Sequence, residues 1–113
     1  MSIMQILLQS NGPLPVSAPF KAPASGPAML NLTGSAWTQT AGSVIGLSVS
    51  IDGAQVGSAW VYANAAGSHM AVVPVMMPIT LPDSTGSHTI TISALNSGTT
   101  TDLNDNFQVT LLL

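Results

Sequence analysis

Two imidazoles, His69 and His88, and four carboxylates, Asp52, Asp83, Asp102 and Asp105, are the groups in this sequence best suited to move a proton or hold a cation. Each histidine closes a Gly-Ser-His triplet, Gly67-Ser68-His69 and Gly86-Ser87-His88, at a point where a strand should begin. An imidazole placed there commonly pairs with a neighbouring backbone group. Histidines from three copies meeting on an axis could instead share a metal. Nothing around either residue completes a catalytic pattern: the sequence has no GxSxG, no HExxH, no glycine loop leading into a lysine and a helix, and no EF-hand loop. The expectation is a protein that is not an enzyme.

A denser set of ligating oxygens lies in Asp102-Leu103-Asn104-Asp105-Asn106. Carboxylate and amide oxygens are what calcium prefers, so Asp102, Asn104 and Asp105 form a candidate calcium site. The same residue types also cap turns by bonding nearby backbone. Among the aromatic residues, Trp37, Trp60 and Tyr62 are suited to stack on the C–H face of a sugar ring while polar neighbours bond its hydroxyls. Trp60 and Tyr62 should share one strand face. With Asn64 and His69 they make a candidate ligand-binding set, although packing in a core is the commoner use of tryptophan.

Charge narrows the partners. Lys21 is the single basic side chain, and charged residues make up 4% of the 113-residue chain, against about 25% in ordinary domains. Duplex nucleic acid needs several cations on phosphate, so it is excluded as a partner, and anionic membrane surfaces are disfavoured. No segment approaches the roughly 20 apolar residues of a membrane helix. The apolar opening Met1 to Leu8 has no basic n-region, so a cleavable signal peptide is not expected, while a surface-exposed or extracellular role suits the uncharged exterior. Cysteine is absent, so burial and backbone pairing must hold the fold together.

The length suits one domain, residues 1–113. Its hydrophobic pattern has period two. Ile45, Leu47, Val49 and Ile51 alternate with Gly46, Ser48 and Ser50. Asp52-Gly53 then favours a tight hairpin, from which Gln55 to Tyr62 returns. Further strands are expected at Met4–Gln9, Ala28–Trp37, Met70–Leu81, His88–Leu95 and Phe107–Leu113, with a turn over Pro82 to Gly86 and a loop over Asn96 to Asn106. Gly12 to Pro27 carries five of the eight prolines and should be an extended connection or a short edge strand. About eight short strands in this spacing indicate an all-β antiparallel jelly-roll sandwich of two sheets.

Three segments are apolar on both faces: Met70–Leu81, the opening strand and the closing one. A two-layer sandwich hides only one face of each strand, so the surplus should be covered by other copies. Ile3, Met4, Ile6, Leu8, Met76, Met77, Leu111 and Leu113 are the expected interface residues.

The order LSVSIDGAQVGSAWVY, HMAVVPVMMPITL, GSHTITISAL and a terminal NDNFQVTLLL resembles the C1q and tumour-necrosis-factor-like jelly rolls of bacterial and phage proteins over about Ala28 to Leu113. That resemblance implies a homotrimer with the first and last strands, Ile3–Leu8 and Phe107–Leu113, near the threefold axis. It also implies binding at subunit boundaries. Two functions fit: a trimeric lectin-like module for a neutral glycan, or a structural protein such as a virion, fibre-head or surface-layer domain whose assembly is its function.

Overall fold

The computed structural model describes residues 3–82 and 84–113. Met1 of the apolar opening and Asp83 of the expected turn lie outside them. The described residues form nine strands and no helix: β1 (Met4–Asn11), β2 (Val16–Lys21), β3 (Gly26–Ala36), β4 (Ser43–Ile51), β5 (Ala54–Ala63), β6 (Met70–Ala71), β7 (Val75–Leu81), β8 (Ser87–Ala94) and β9 (Asn106–Leu112).

They build the antiparallel jelly-roll sandwich that the alternation predicts. One sheet runs β1-β9-β3, with β6 and β7 following each other along the far edge of β3; the other runs β2-β8-β4-β5. Leu30, Leu32, Phe107, Val109 and Leu111 from the first sheet meet Leu47, Val49, Ile90 and Ile92 from the second, all essentially sealed from solvent. At about 1.5–3 kcal/mol for each large apolar side chain, this shared layer is the main force holding the sheets together.

The Asp52-Gly53 hairpin forms as expected, with both residues at positive φ, 51° and 83°. The proline-rich connection yields β2 as an edge strand of the four-stranded sheet, where Pro19 can lack an N–H without breaking a central ladder.

Two expectations are corrected. The Met70–Leu81 strand is broken, because Pro74 has no N–H and the Val73 N–H leaves the β3 edge to donate to the Trp60 carbonyl at 3.2 Å. The break resets the alternation: Val72 points inward before it, and Met77 and Leu81 do so after it. The second correction concerns the interface set. Leu8, Met77 and Leu111 are 4%, 5% and 0% exposed, so they belong to this chain's own core and offer nothing to another copy. Leu8 is turned inward by a bulge between Ile6 and Leu8 that buries Leu7 as well. Met4, Ile6 and Met76 stay exposed, and Ile3 and Leu113 are half-buried.

Candidate functional site

The β4–β5 hairpin determines which side chains the four-stranded sheet shows to solvent. On β5, Ala59 and Ala63 fill the interior, which turns Trp60 and Tyr62 outward. Each is 55% exposed. Two residues apart on one strand face, their rings start about 7 Å from one another along the strand. Val44 stands opposite Tyr62 and Gly46 opposite Trp60. The segment between β6 and β7 lies along β5 here, so that Trp60, Val73 and Val75 line an apolar concavity of about 270 Å³. Away from the aromatic end, the outward positions of the sheet carry hydroxyls: Ser58, Ser48 and Ser93 lie in register, with Ser48 itself buried, then Ser50, Thr91 and Ser17, the last two hydrogen-bonded to each other at 2.8 Å. Lys21 sits on β2, the edge strand furthest from β5.

A second concavity, of about 220 Å³, opens between the loop after β3 and the loop after β8. Thr38, Thr40, Ser43, Ser97 and Thr100 line it with hydroxyls and Gln39 with an amide. Gly42, between Thr40 and Ser43, approaches the Tyr62 hydroxyl, so the polar hollow and the aromatic face adjoin.

The histidine and aspartate candidates gather elsewhere, around the carboxylate of Asp105. That side chain has no solvent exposure. Its Oδ1 accepts from Ser35 Oγ at 2.7 Å and from His69 Nδ1 at 2.8 Å, and its Oδ2 accepts from the Asp102 N–H at 2.9 Å. Asp102 in turn accepts from the Asn104 N–H and lies 3.7 Å from His69 Nε2. The bond to Asp105, and then the charges of Asp105 and Asp102, raise the His69 pKa above its ordinary value. Trp37 belongs to this cluster and not to the aromatic face: its backbone bridges Thr100, and its ring centre lies 5.9 Å from that of His69.

Asp102, Asp105 and His69 bring ligand atoms within 4.8 Å of one another, so an acidic cluster does form at the candidate calcium loop. Its chemistry suits a closed hydrogen-bonded staple better than a calcium cage. Calcium takes six to eight oxygens, whereas both Asp105 oxygens already accept N–H or O–H donors and the third member is an imidazole. Ser35 and His69 both point at one Asp105 oxygen, so the serine-to-imidazole contact of a nucleophilic triad is missing at this place.

His88 also finds a carboxylate where the sequence suggests a backbone partner. Its Nδ1 lies 2.6 Å from Asp52 Oδ2, and the other Asp52 oxygen accepts from the Thr89 N–H at 2.9 Å. These bonds, the Thr89 one foremost, lower the Asp52 pKa. Asn64 is exposed just beyond β5.

The structure therefore brings Trp60 and Tyr62 together, and separately His69 with Asp102 and Asp105. Ser35, Val73 and Val75 complete these two places without any sign in the sequence, because their positions depend on how β3 aligns with β9 and on the break after Val72.

No protein-family model matches the sequence, and no curated protein matches it. Solved structures do share its fold. Dimeric latent PorU from Porphyromonas gingivalis superposes with a TM-score of 0.59 at 14% identity, over 97% of this chain and 12% of that one. A family 35 carbohydrate binding module from Clostridium thermocellum gives 0.50 at 13% identity, covering 96% of this chain and 90% of the module. The CBM36-1 domain of a multidomain xylanase from the hindgut metagenome of Trinervitermes trinervoides gives 0.50 at 15%, covering 100% and 97%. The chain thus spans about an eighth of PorU and nearly the whole of each module. The jelly-roll sandwich is present, whereas nothing in these neighbours supports the C1q and tumour-necrosis-factor type in particular; two structures that share the fold over nearly their whole length are carbohydrate-binding modules.

Proposed function

We propose that this chain is a non-catalytic carbohydrate-binding module that takes an uncharged glycan on the outer face of its four-stranded sheet. Trp60 and Tyr62 are the stacking platform. The observation carrying this reading is their joint exposure on one face of β5, beside an apolar hollow and a field of hydroxyls.

Exposing two large rings to water is unfavourable unless a partner covers them, and a pyranose ring offers a flat C–H face of matching size. The hydroxyl-bearing positions on β4, β5 and β8 donate and accept without charge, as sugar hydroxyls do. An acidic glycan would meet no cation here, since Lys21 lies at the opposite edge of the sheet. Two modules that share the fold over their near-full length are named for carbohydrate binding, which agrees with this reading.

Calorimetric titration with neutral gluco-, xylo- and manno-oligosaccharides tests it. At least one series is expected to bind, with Trp60→Ala and Tyr62→Ala each weakening it about tenfold or more, near 1.4 kcal/mol. Failure of every neutral series, or binding indifferent to both substitutions, would remove the proposal.

A further inference from the structure

The polar hollow beside the aromatic face is a fixed frame. Its two walls, the loop after β3 and the loop after β8, are tied together by paired backbone bonds between Trp37 and Thr100, at 2.9 and 2.8 Å. The first wall is folded on itself. Thr38 Oγ1 accepts from the Thr40 N–H and donates to the Thr40 carbonyl, which also accepts from Ser43 Oγ at 2.7 Å. The second wall is anchored on β4: Asn96 Nδ2 donates to the Val44 carbonyl, and Thr99 Oγ1, which donates to Asn96 Oδ1, accepts from the Gly46 N–H.

Four polar side chains are left over from this frame. Among the described residues, the hydroxyls of Thr40, Ser97 and Thr100 and the amide of Gln39 make no hydrogen bond within the chain, and all four residues line the hollow. We propose that the hollow is a second subsite, taking one further ring of the neutral glycan that stacks on Trp60 and Tyr62. This inference rests on the glycan reading of the β5 face and states where that chain goes next.

The lining selects the ligand. Hydroxyls and an amide both donate and accept, as the hydroxyls of a sugar ring do. No ionisable group lines the hollow, so an anion would find no cation there and a metal no carboxylate. At about 220 Å³ it is smaller than the roughly 300–1,000 Å³ of pockets for drug-sized ligands, a size for one ring and not for a whole chain. Because the walls are already held by their own bonds, a ring that enters does not have to order them.

The register supplies the path. Trp60 pairs with Gly46, Tyr62 with Val44 and Ala63 with Ser43, so three steps of about 3.4 Å along β4 lead from the indole to the rim of the hollow. Tyr62 lies on the way, with its hydroxyl near Gly42 at that rim. One sugar ring cannot cover both places; an oligosaccharide can.

Titration of the full chain with disaccharides and hexasaccharides of the gluco-, xylo- and manno- series tests the proposal. In the series that binds, the hexasaccharide is expected to bind about tenfold tighter than the disaccharide. The double variant Gln39→Ala with Ser97→Ala changes two exposed side chains and should erase most of that ratio. Trp60→Ala should weaken both lengths. If the double variant loses the circular dichroism spectrum of the parent, Thr40→Val serves in its place, since it keeps the carbonyl that Thr38 and Ser43 use. Equal affinity for the two lengths, or a ratio indifferent to the hollow variants, would overturn the subsite and leave the Trp60 platform standing. Binding indifferent to Trp60→Ala, or no binding in any series, would remove the platform and the subsite together.

Discussion

Gly46 stands directly opposite Trp60 in the β4–β5 ladder, and a Cβ at Gly46 would lie 2.8 Å from the Trp60 Cα and 2.9 Å from its Cβ. The backbone of Ala59 would be closer still. Glycine here is thus a condition for where the indole sits. Gly46→Ala is expected to push β5 outward, cost about 1–3 kcal/mol of stability, and weaken glycan binding through a residue that touches no glycan. Thermal melts and the oligosaccharide titration check both parts; a variant that melts and binds like the parent would show the contact to be soft.

Asp105 makes the strongest prediction for stability. Its replacement by Ala leaves the Ser35 hydroxyl, His69 Nδ1 and the Asp102 N–H without their acceptor. A loss of about 2–4 kcal/mol is expected in denaturant unfolding, with Asp105→Asn costing less because it keeps one acceptor oxygen. If the loop is held by hydrogen bonds alone, chelator treatment leaves the parent's melting temperature unchanged; a fall restored by calcium would show an ion at Asp102 and Asp105.

The two His–Asp pairs bound the pH range of greatest stability. The His69 pKa is raised above its ordinary 6.5, so its contribution is complete below pH 6.5 and fades as pH climbs through the higher folded value. Asp52 is lowered from 3.8, so its contribution is complete above pH 3.8 and is lost as pH falls through the lower folded value. Melting temperature should therefore decline on the alkaline side in the parent, and His69→Gln should flatten that decline. A melting temperature that rises steadily from pH 6 to 8 would contradict the sign.

Salt discriminates the class of ligand. Binding that rests on ring stacking and neutral hydroxyls should vary little between low and high ionic strength. Uronate-bearing chains should bind no better than their neutral counterparts, because Lys21 is at the far edge of the sheet. A steep salt dependence would point to an ionic ligand.

Much of this was legible in the residues. Ile45 to Ile51 alternates so cleanly that the core face of β4 could be read directly, and Asp52-Gly53 announced its hairpin. That Trp60 and Tyr62 share a face followed from the same period of two, but that the face is the outer one is seen only once Ala59 and Ala63 are placed in the interior. What was not legible depended on long-range register. Apolar runs on both sides of Met70–Leu81 looked like surplus surface, yet one N–H diverted to the Trp60 carbonyl and one proline reset the alternation and buried Met77. The bulge after Ile6 did the same for Leu8. Likewise, His69 and Asp105 are 36 positions apart, and only the junction of β3, β6 and β9 brings them within 2.8 Å.

The most direct test of the central claim is a map of amide and indole NMR shifts during titration with the neutral oligosaccharide that binds best. The largest changes are expected at the Trp60 indole, Tyr62 and Val73, with the Trp37 indole and His69 little affected. Changes centred on His69, Asp102 and Trp37, with the β5 face silent, would contradict it.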